Sequence, residues 1–259
     1  MLWDREMARD TTWIVPTFHE KTDGLHQFSS TLSANDTLDT SGVIVAPTDG
    51  SLHFNYISGE WNVLRPYPWR DSTSFSMGTA IRIGDSLTSS NVIEVGIAYS
   101  VESMNGNFSE STSLQWAWQP GPVVGIDNVS AVAGQIISCI LCVASPNEAI
   151  VFLRNRNTGE TASFSTTAPP GVTVQGGSAA WLVGRPTVTN KDGTKTPGPL
   201  PYYGTAYFDS AFAHSKESPG LRDAGVWGIP LTMHDQNNVN ISEGRIESPR
   251  LVKSVDLRV

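Results

Sequence analysis

The segment SFSMGTAIRI (74–83) and the segment NVIEVGIAYSV (91–101) that follows it decide the predicted fold. Both contain β-branched and aromatic residues between turn-forming Gly, Asp, Ser and Asn, which is typical of strands. Similar runs recur at short spacing, separated by turn signals such as Asn105-Gly106 and Pro169-Pro170. This rhythm predicts an all-β sandwich or barrel. The other predicted strands are VIVA (43–46), SLHFNYI (51–57), SLQWAWQP (113–120), AIVFLRN (149–155), AAWLVG (179–184) and TAYFDSAFA (205–213).

The length of 259 residues allows one all-β domain with a short additional arm. Residues 1–40 are polar and precede the first regular strand pattern, so we predict an N-terminal arm that packs on a sandwich formed by residues 41–259. We expect apolar side chains to anchor this arm: Trp3, Trp13, Ile14, Val15 and Phe18.

The formal net charge is −8, and Lys and Arg do not cluster along the chain. This balance argues against nucleic acid or an anionic membrane as a partner. No stretch of 18 apolar residues is present, so we predict no membrane span. The sequence leaves monomer and homodimer equally open.

The two cysteines and four N-glycosylation sequons provide information about the cellular location of the protein. Cys139 and Cys142 are three residues apart, which in a strand directs them to opposite faces, so we predict free thiols. The sequons favour the secretory route or an extracellular glycoprotein. The first ten residues, MLWDREMARD, lack the apolar core of a signal peptide, so a cytoplasmic location stays an alternative. The sequons begin at Asn35, Asn107, Asn128 and Asn240.

Common catalytic signatures are absent from the sequence. There is no Gly-rich phosphate loop, no HExxH and no GxSxG. The histidines are scattered without the spacing of metal ligands, so we predict no metal and no cofactor. They are His19, His26, His53, His214 and His234.

Seven segments resemble, in order, the sequences of one family of peptidases. They are 41–66 (SGVIVAPTDGSLHFNYISGEWNVLRP), 76–80 (SMGTA), 93–96 (IEVG), 115–120 (QWAWQP), 154–165 (RNRNTGETASFS), 178–186 (SAAWLVGRP) and 202–213 (YYGTAYFDSAFA). Their order and spacing resemble the glutamic peptidases, or eqolisins. The resemblance implies a concanavalin-like, eqolisin-like β-sandwich of two bent antiparallel sheets.

In eqolisins a glutamate activates water and a glutamine helps to hold the oxyanion. By this resemblance Glu94 takes the place of the family glutamine, and Ala180 takes the place of the catalytic glutamate. An alanine methyl group cannot accept a proton, so the family's proteolytic mechanism is not expected to operate. Three further family acids are also replaced by small residues, at Ala80, Ala117 and Gly184.

Strand parity predicts which side chains line the groove of the sheet, because residues two apart share a face. Four polar residues are the catalytic candidates: Glu94, Arg82, Gln115 and Gln119. The predicted walls of the substrate site are Ser76, Ala80, Val92, Ala98, Ala117, Ala180 and Leu182, with Trp69 nearby. We expect a groove that is roomier and more apolar than that of a peptidase. Three tryptophans fall on the opposite face, in the predicted core: Trp116, Trp118 and Trp181.

Three functions remain open from the sequence. The first is an enzyme of fungal natural-product metabolism that binds a small apolar substrate and promotes a cyclisation, such as a hetero-Diels–Alder addition, by positioning and hydrogen bonding. The second is a secreted lectin-like or pseudopeptidase binding protein, which exposure of Trp69, Tyr67, Tyr202 or Tyr203 on the concave face would favour. The third is an acid peptidase with a rearranged dyad that uses Glu94. That side chain either forms a simple pair with Arg82 or has a raised pKa suited to acid–base chemistry.

Overall fold

The computed structural model describes residues 12–21, 36–37, 39–47, 52–68, 74–85, 91–104, 107–189, 193–218 and 220–258. These ranges form twenty strands and one short helix. None of the helices within them is long and apolar enough to cross a membrane.

The strands fall into two large groups and one hairpin. The first group is β2 (Phe18–Glu20), β4 (Thr40–Val45), β6 (Ser74–Gly84), β7 (Val92–Met104), β8 (Asn107–Gln119), β9 (Val123–Ile126), β13 (Ser178–Gly184) and β18 (Ile229–His234). The second is β1 (Thr12–Trp13), β3 (Asp36–Thr37), β5 (Phe54–Asn62), β10 (Ile136–Ser145), β11 (Glu148–Asn155), β12 (Glu160–Thr167), β16 (Thr205–Ser215), β17 (Leu221–Asp223), β19 (Asn240–Ser248) and β20 (Leu251–Asp256). The remaining elements are β14 (Thr187–Thr189), β15 (Lys195–Pro197) and helix α1 (Ala224–Trp227).

The first group forms one sheet in the order β18-β4-β13-β6-β7-β8-β9-β2. The second group forms a sheet whose main order is β12-β11-β10-β5-β16-β20-β19. Strand β18 pairs with both β4 and β19 and so connects the two sheets. The ladders just named are antiparallel, which confirms the all-β sandwich predicted from the sequence.

A single apolar core lies between the sheets and holds the largest side chains. Trp118 and Trp181 are fully buried in it, as predicted. Each indole N–H has a partner: Trp181 donates to the Ser58 carbonyl over 2.8 Å, and Trp118 donates to the Thr166 hydroxyl over 3.3 Å. Both tryptophans therefore serve packing and not ligand binding.

The described part of the N-terminal arm is held by backbone pairing. Strand β1 runs parallel to β12, and β2 pairs with β9 at the edge of the first sheet. Val15 is exposed and does not act as a predicted anchor, whereas Phe18 packs edge-on against Phe164 at 4.8 Å and against Trp116 at 6.4 Å. Trp3 lies outside the described residues, and the boundary at residue 40 stays a prediction.

The cysteines and sequons occupy distinct environments. Cys139 is buried and Cys142 is half-buried, and both are free thiols, as predicted. Asn240 is exposed at the start of β19, whereas the Asn128 amide donates to the Val15 carbonyl and accepts from the Thr17 N–H over 3.0 Å. The amide of Asn128 is thus already engaged within the protein. The Asn35 side chain and the Asn107 side chain lie outside the part of the chain that the structure describes.

Candidate functional site

The first sheet has one face on the core and one face directed away from it, which we call the site face. The register places Ala180, Arg82, Glu94 and Ala117 side by side in one row on this face. The neighbouring row contains Leu182, Ala80, Gly96 and Gln115. The other predicted lining residues share the same face, namely Ser76, Val92, Ala98 and Gln119.

Burial corrects one expectation about this face. The predicted lining residues are all buried, from Ala180 at 0% exposed to Ser76 at 8%. Parity therefore grouped these residues on one face of the sheet, as the register shows, but their side chains do not form an exposed groove. Trp69 lies outside the described residues, so its predicted contact with a substrate stays a prediction.

Glu94 is the central polar residue of the site face. Its Oε1 accepts a hydrogen bond from Gln119 Nε2 over 3.1 Å, and its neighbour across β6 and β7 is Arg82. Burial raises the pKa of Glu94 to about 7, although the Gln119 hydrogen bond and the Arg82 charge both act to lower it. The two interpretations of Glu94 are therefore compatible. Glu94 lies opposite Arg82, and its pKa is raised into the range suited to acid–base chemistry.

Arg82 is buried as completely as Glu94. Burial lowers the pKa of its guanidinium, and the carboxylates of Glu94 and Asp39 act to raise it. Asp39 lies just before β4 and is itself buried. Sequence reasoning missed Asp39, because strand parity assigns faces only to residues within a strand, and Asp39 precedes β4.

An apolar cluster adjoins the polar row on the same sheet. Ala180 is packed with Ile44, Leu182 and Leu231, with Ala46 and Ile229 at its margin. The position that corresponds by resemblance to the catalytic glutamate of eqolisins is therefore occupied by a methyl group in an apolar setting. This cluster could contact the hydrocarbon part of a ligand, but it cannot activate water.

Gln115 lies on β8 two residues before Ala117, which is the residue opposite Glu94. It is 4% exposed. Its amide oxygen has no hydrogen-bonding partner among the residues that the structure describes. An unsatisfied buried carbonyl costs about 1–3 kcal/mol, so this arrangement requires an explanation. Parity predicted the face of Gln115 but could not predict that its oxygen lacks a partner.

The edge of the site face carries two polar pairs that sequence reasoning did not find. Lys21 donates to the Ser113 hydroxyl, and His19 Nδ1 lies 2.6 Å from Asp127 Oδ1. These pairs join residues of the arm to β8 and to the end of β9. No sequence signal could have revealed them, because the arm carries no strand pattern of its own.

The aromatic contacts proposed for a binding module are only partly available. Tyr203 is buried, and its hydroxyl is bonded to Ser254 at 2.8 Å and to Ser242. Tyr203 therefore offers no exposed ring for binding a sugar or a peptide. Tyr67 is exposed, and its ring lies 5.5 Å from that of Tyr202.

Within the described ranges, no group of three or more His, Cys, Asp or Glu side chains could hold a metal ion. Two surface cavities formed by described residues lie elsewhere: one of about 230 Å³ beside His53 and Glu217, and one of about 330 Å³ beside Tyr67 and Phe108.

The raised pKa of Glu94 predicts how stability depends on pH. An acid whose pKa is higher in the folded state stabilises the fold at low pH, and this contribution is lost as the pH rises through the folded pKa. The rise from 4.5 to about 7 corresponds to about 3 kcal/mol. We therefore expect the stability advantage of Glu94→Gln over the natural protein to grow between pH 4.5 and 7, as measured by denaturant unfolding at several pH values. A constant difference across this range would contradict the assignment.

The fold and the site face together make this protein a two-sheet β-sandwich with glutamate and glutamine side chains on the outward face of one sheet. The Peptidase A4 family model matches residues 39–253, which is most of the chain. The chain therefore belongs to the peptidase A4 family.

Solved structures agree with this assignment at the level of the fold. Scytalido-glutamic peptidase, crystallised with a transition-state analogue inhibitor, superposes with a TM-score of 0.68 at 14% identity, over 85% of this chain and 98% of that one. SCP-B, a member of the eqolisin family bound to the tripeptide Ala-Ile-His, gives 0.65 at 14% identity, over 85% and 98%. Aspergilloglutamic peptidase from Aspergillus niger gives 0.58 at 14% identity, over 71% and 99%. No curated protein matches the sequence significantly.

Proposed function

We propose that this protein is a non-proteolytic enzyme on the glutamic-peptidase scaffold. Its substrate is a small apolar organic molecule, and its reaction is a cyclisation or cycloaddition of the hetero-Diels–Alder type. This is a step of secondary metabolism that needs no nucleophile and no cofactor.

The observation that carries the proposal is the environment of Ala180. Hydrolysis on this scaffold requires a carboxylate that removes a proton from water. The corresponding position holds a fully buried methyl group packed against Ile44, Leu182 and Leu231. The same cluster is apolar, as the walls of a small-molecule site are.

Glu94 supplies the polar part of the chemistry. With its pKa raised to about 7, the carboxyl group is protonated under mildly acidic conditions and can donate a hydrogen bond. Donation to a carbonyl or quinone-methide oxygen withdraws electron density from the conjugated system and lowers the barrier to cycloaddition. The new carbon–carbon and carbon–oxygen bonds form from the substrate's π electrons, no atoms leave, and the proton stays with Glu94.

Gln119 and Arg82 position this acid. Gln119 Nε2 holds one carboxyl oxygen at 3.1 Å, and the proposal assigns the proton and the contact with the substrate to the other oxygen. Positioning of two reacting groups contributes about 7–11 kcal/mol to intramolecular reactions in favourable cases. A buried acid beside an apolar cluster is thus sufficient for a pericyclic step.

The test incubates the purified protein with an ortho-quinone-methide precursor and an electron-rich alkene, and resolves the cycloadducts by chiral chromatography. The proposal predicts an enantiomeric excess that is absent without protein. A racemic product formed at the uncatalysed rate would contradict it. The Glu102→Met variant is the matched control, because Glu102 lies on the same strand and face as Glu94 but is exposed.

One observation favours a second function, an acid peptidase with a rearranged dyad. Glu94 and Gln119 form a glutamate–glutamine pair in direct contact, and Glu94 has a pKa suited to a general base or acid. Such an enzyme would cleave an unfolded protein, and the cleavage would disappear in Glu94→Met. An assay for cleavage of a denatured protein from strongly acidic to neutral pH separates the two functions.

A further inference from the structure

We infer that Gln115 determines specificity on the site face by selecting substrates that carry a hydroxyl group in addition to the carbonyl group that Glu94 polarises. This inference rests on the proposed function and names its substrate class: neutral hydroxy-carbonyl compounds. Gln115 accepts the hydroxyl hydrogen through its amide oxygen, while protonated Glu94 donates to the carbonyl oxygen.

The first support is the contrast between two glutamines. Glu94 lies opposite Ala117 across β7 and β8, so Gln115 and Gln119 are its two diagonal neighbours on β8. Gln119 donates to the Glu94 carboxyl over 3.1 Å. The Gln115 oxygen is equally buried, but it has no hydrogen-bonding partner within the described part of the chain. Of the two diagonal neighbours, Gln119 is bonded within the protein, and Gln115 has an oxygen that can accept from a ligand.

The second support is the set of small residues around Gln115. Its lateral neighbours on the sheet are Gly96 and Gly125. The next residue pair on this side is Ala98 with Ser113, and Gly78 follows on β6. The sheet itself therefore offers no side-chain donor long enough to reach the amide oxygen from these positions.

The polar side chains of the neighbouring arm lie at the β9 side of Gln115. The His19 ring covers Gly125, where an added Cβ would lie 2.3 Å from its Cε1, and His19 is bonded to Asp127. Lys21 donates to Ser113. These contacts define the β9 edge of the site, and the Glu94 row defines the opposite edge.

The spacing suits one small molecule. Diagonal neighbours in an antiparallel pair have Cα atoms about 7–8 Å apart, within reach of long side chains. One ligand with a hydroxyl and a carbonyl group can therefore contact both Gln115 and Glu94. A methyl ether of the same ligand leaves the buried amide oxygen without a partner and adds a methyl group at the contact, so the site rejects it.

The first experiment needs no ligand. Gln115→Met removes an unsatisfied buried carbonyl, so we expect an unchanged or higher Tm. Gln119→Met is the matched control on the same strand and face; it removes the hydrogen bond to Glu94, and we expect a lower Tm. A Tm for Gln115→Met that falls as far as that of Gln119→Met would show a structural role for Gln115 and overturn the inference.

The second experiment compares 3′-hydroxyacetophenone with 3′-methoxyacetophenone by titration calorimetry, well below the pKa of Glu94. We expect the hydroxyl compound to bind at least about 10-fold more tightly to the natural protein. The ratio should fall to near one in Gln115→Met and persist in Gln115→Glu, which keeps an acceptor oxygen. A ratio near one in the natural protein, a ratio unchanged in Gln115→Met, or no binding of either probe at millimolar concentration would each contradict the inference.

The proposed cycloaddition and the specificity role of Gln115 can be tested independently of each other. In Glu94→Met both probes should bind more weakly while the preference for the hydroxyl compound remains. A preference that depends on Gln115, in a protein that forms no cycloadduct, would reject the proposed reaction and keep the specificity site. Stereoselective cycloaddition without any preference would do the reverse.

Discussion

Glu94→Met is expected to reduce the rate of stereoselective cycloaddition by at least about 100-fold, because general acids contribute about 10²–10⁴-fold to rates. The variant removes the only hydrogen-bond donor that the proposal places on the reacting oxygen. Glu94→Gln should lose less, because an amide N–H still donates. The measurement is the initial rate of cycloadduct formation for each variant.

The pH profile distinguishes acid chemistry from simple packing. The pKa of Glu94 is about 7, so the natural enzyme should lose activity as the pH rises above 7. Glu94→Gln should show a lower rate that does not change across the same range. An identical pH profile for both proteins would mean that Glu94 does not donate the proton.

Trp181→Ala is expected to destabilise the fold by about 3–5 kcal/mol, as is usual for removing a buried aromatic side chain. Trp181 is 0% exposed, packs in the core and donates to the Ser58 carbonyl over 2.8 Å. The variant therefore creates a cavity and leaves a buried carbonyl without its partner. Denaturant unfolding of the variant and the natural protein measures the difference.

Trp227→Ala is the matched control for the core prediction. Trp227 is 54% exposed on helix α1, where Arg222 lies over its ring at 4.5 Å. Loss of an exposed cation–π contact costs about 0.5–1 kcal/mol. Equal destabilisation by the two substitutions would contradict the assignment of Trp181 to the core.

The fold could be predicted because strands reveal themselves through local patterns. Alternating burial in β10 and β11 follows from the two-residue period of a strand, and turn residues mark the ends. The same period placed Glu94, Arg82 and Gln115 on one face. Both predictions depend only on the local sequence, because the two-residue period applies to any strand.

The environment of the site face could not be predicted in the same way. Parity assigns a face but does not say what packs against it, so the burial of Glu94 and Ser76 was missed. Hydrogen bonds depend on side-chain rotamers, and nothing in the sequence says that Gln119 and not Gln115 donates to Glu94. The pairing of β2 with β9 was missed because a three-residue edge strand has no pattern of its own.

The most direct test of the central claim is the incubation of the purified protein with a denatured protein substrate from strongly acidic to neutral pH, with mass spectrometry of the peptides. The account predicts no cleavage at any pH, because Ala180 occupies the position of the family's catalytic glutamate. Cleavage by the natural protein that disappears in Glu94→Met but persists in Glu102→Met would contradict the account and establish a peptidase with a Glu94–Gln119 dyad.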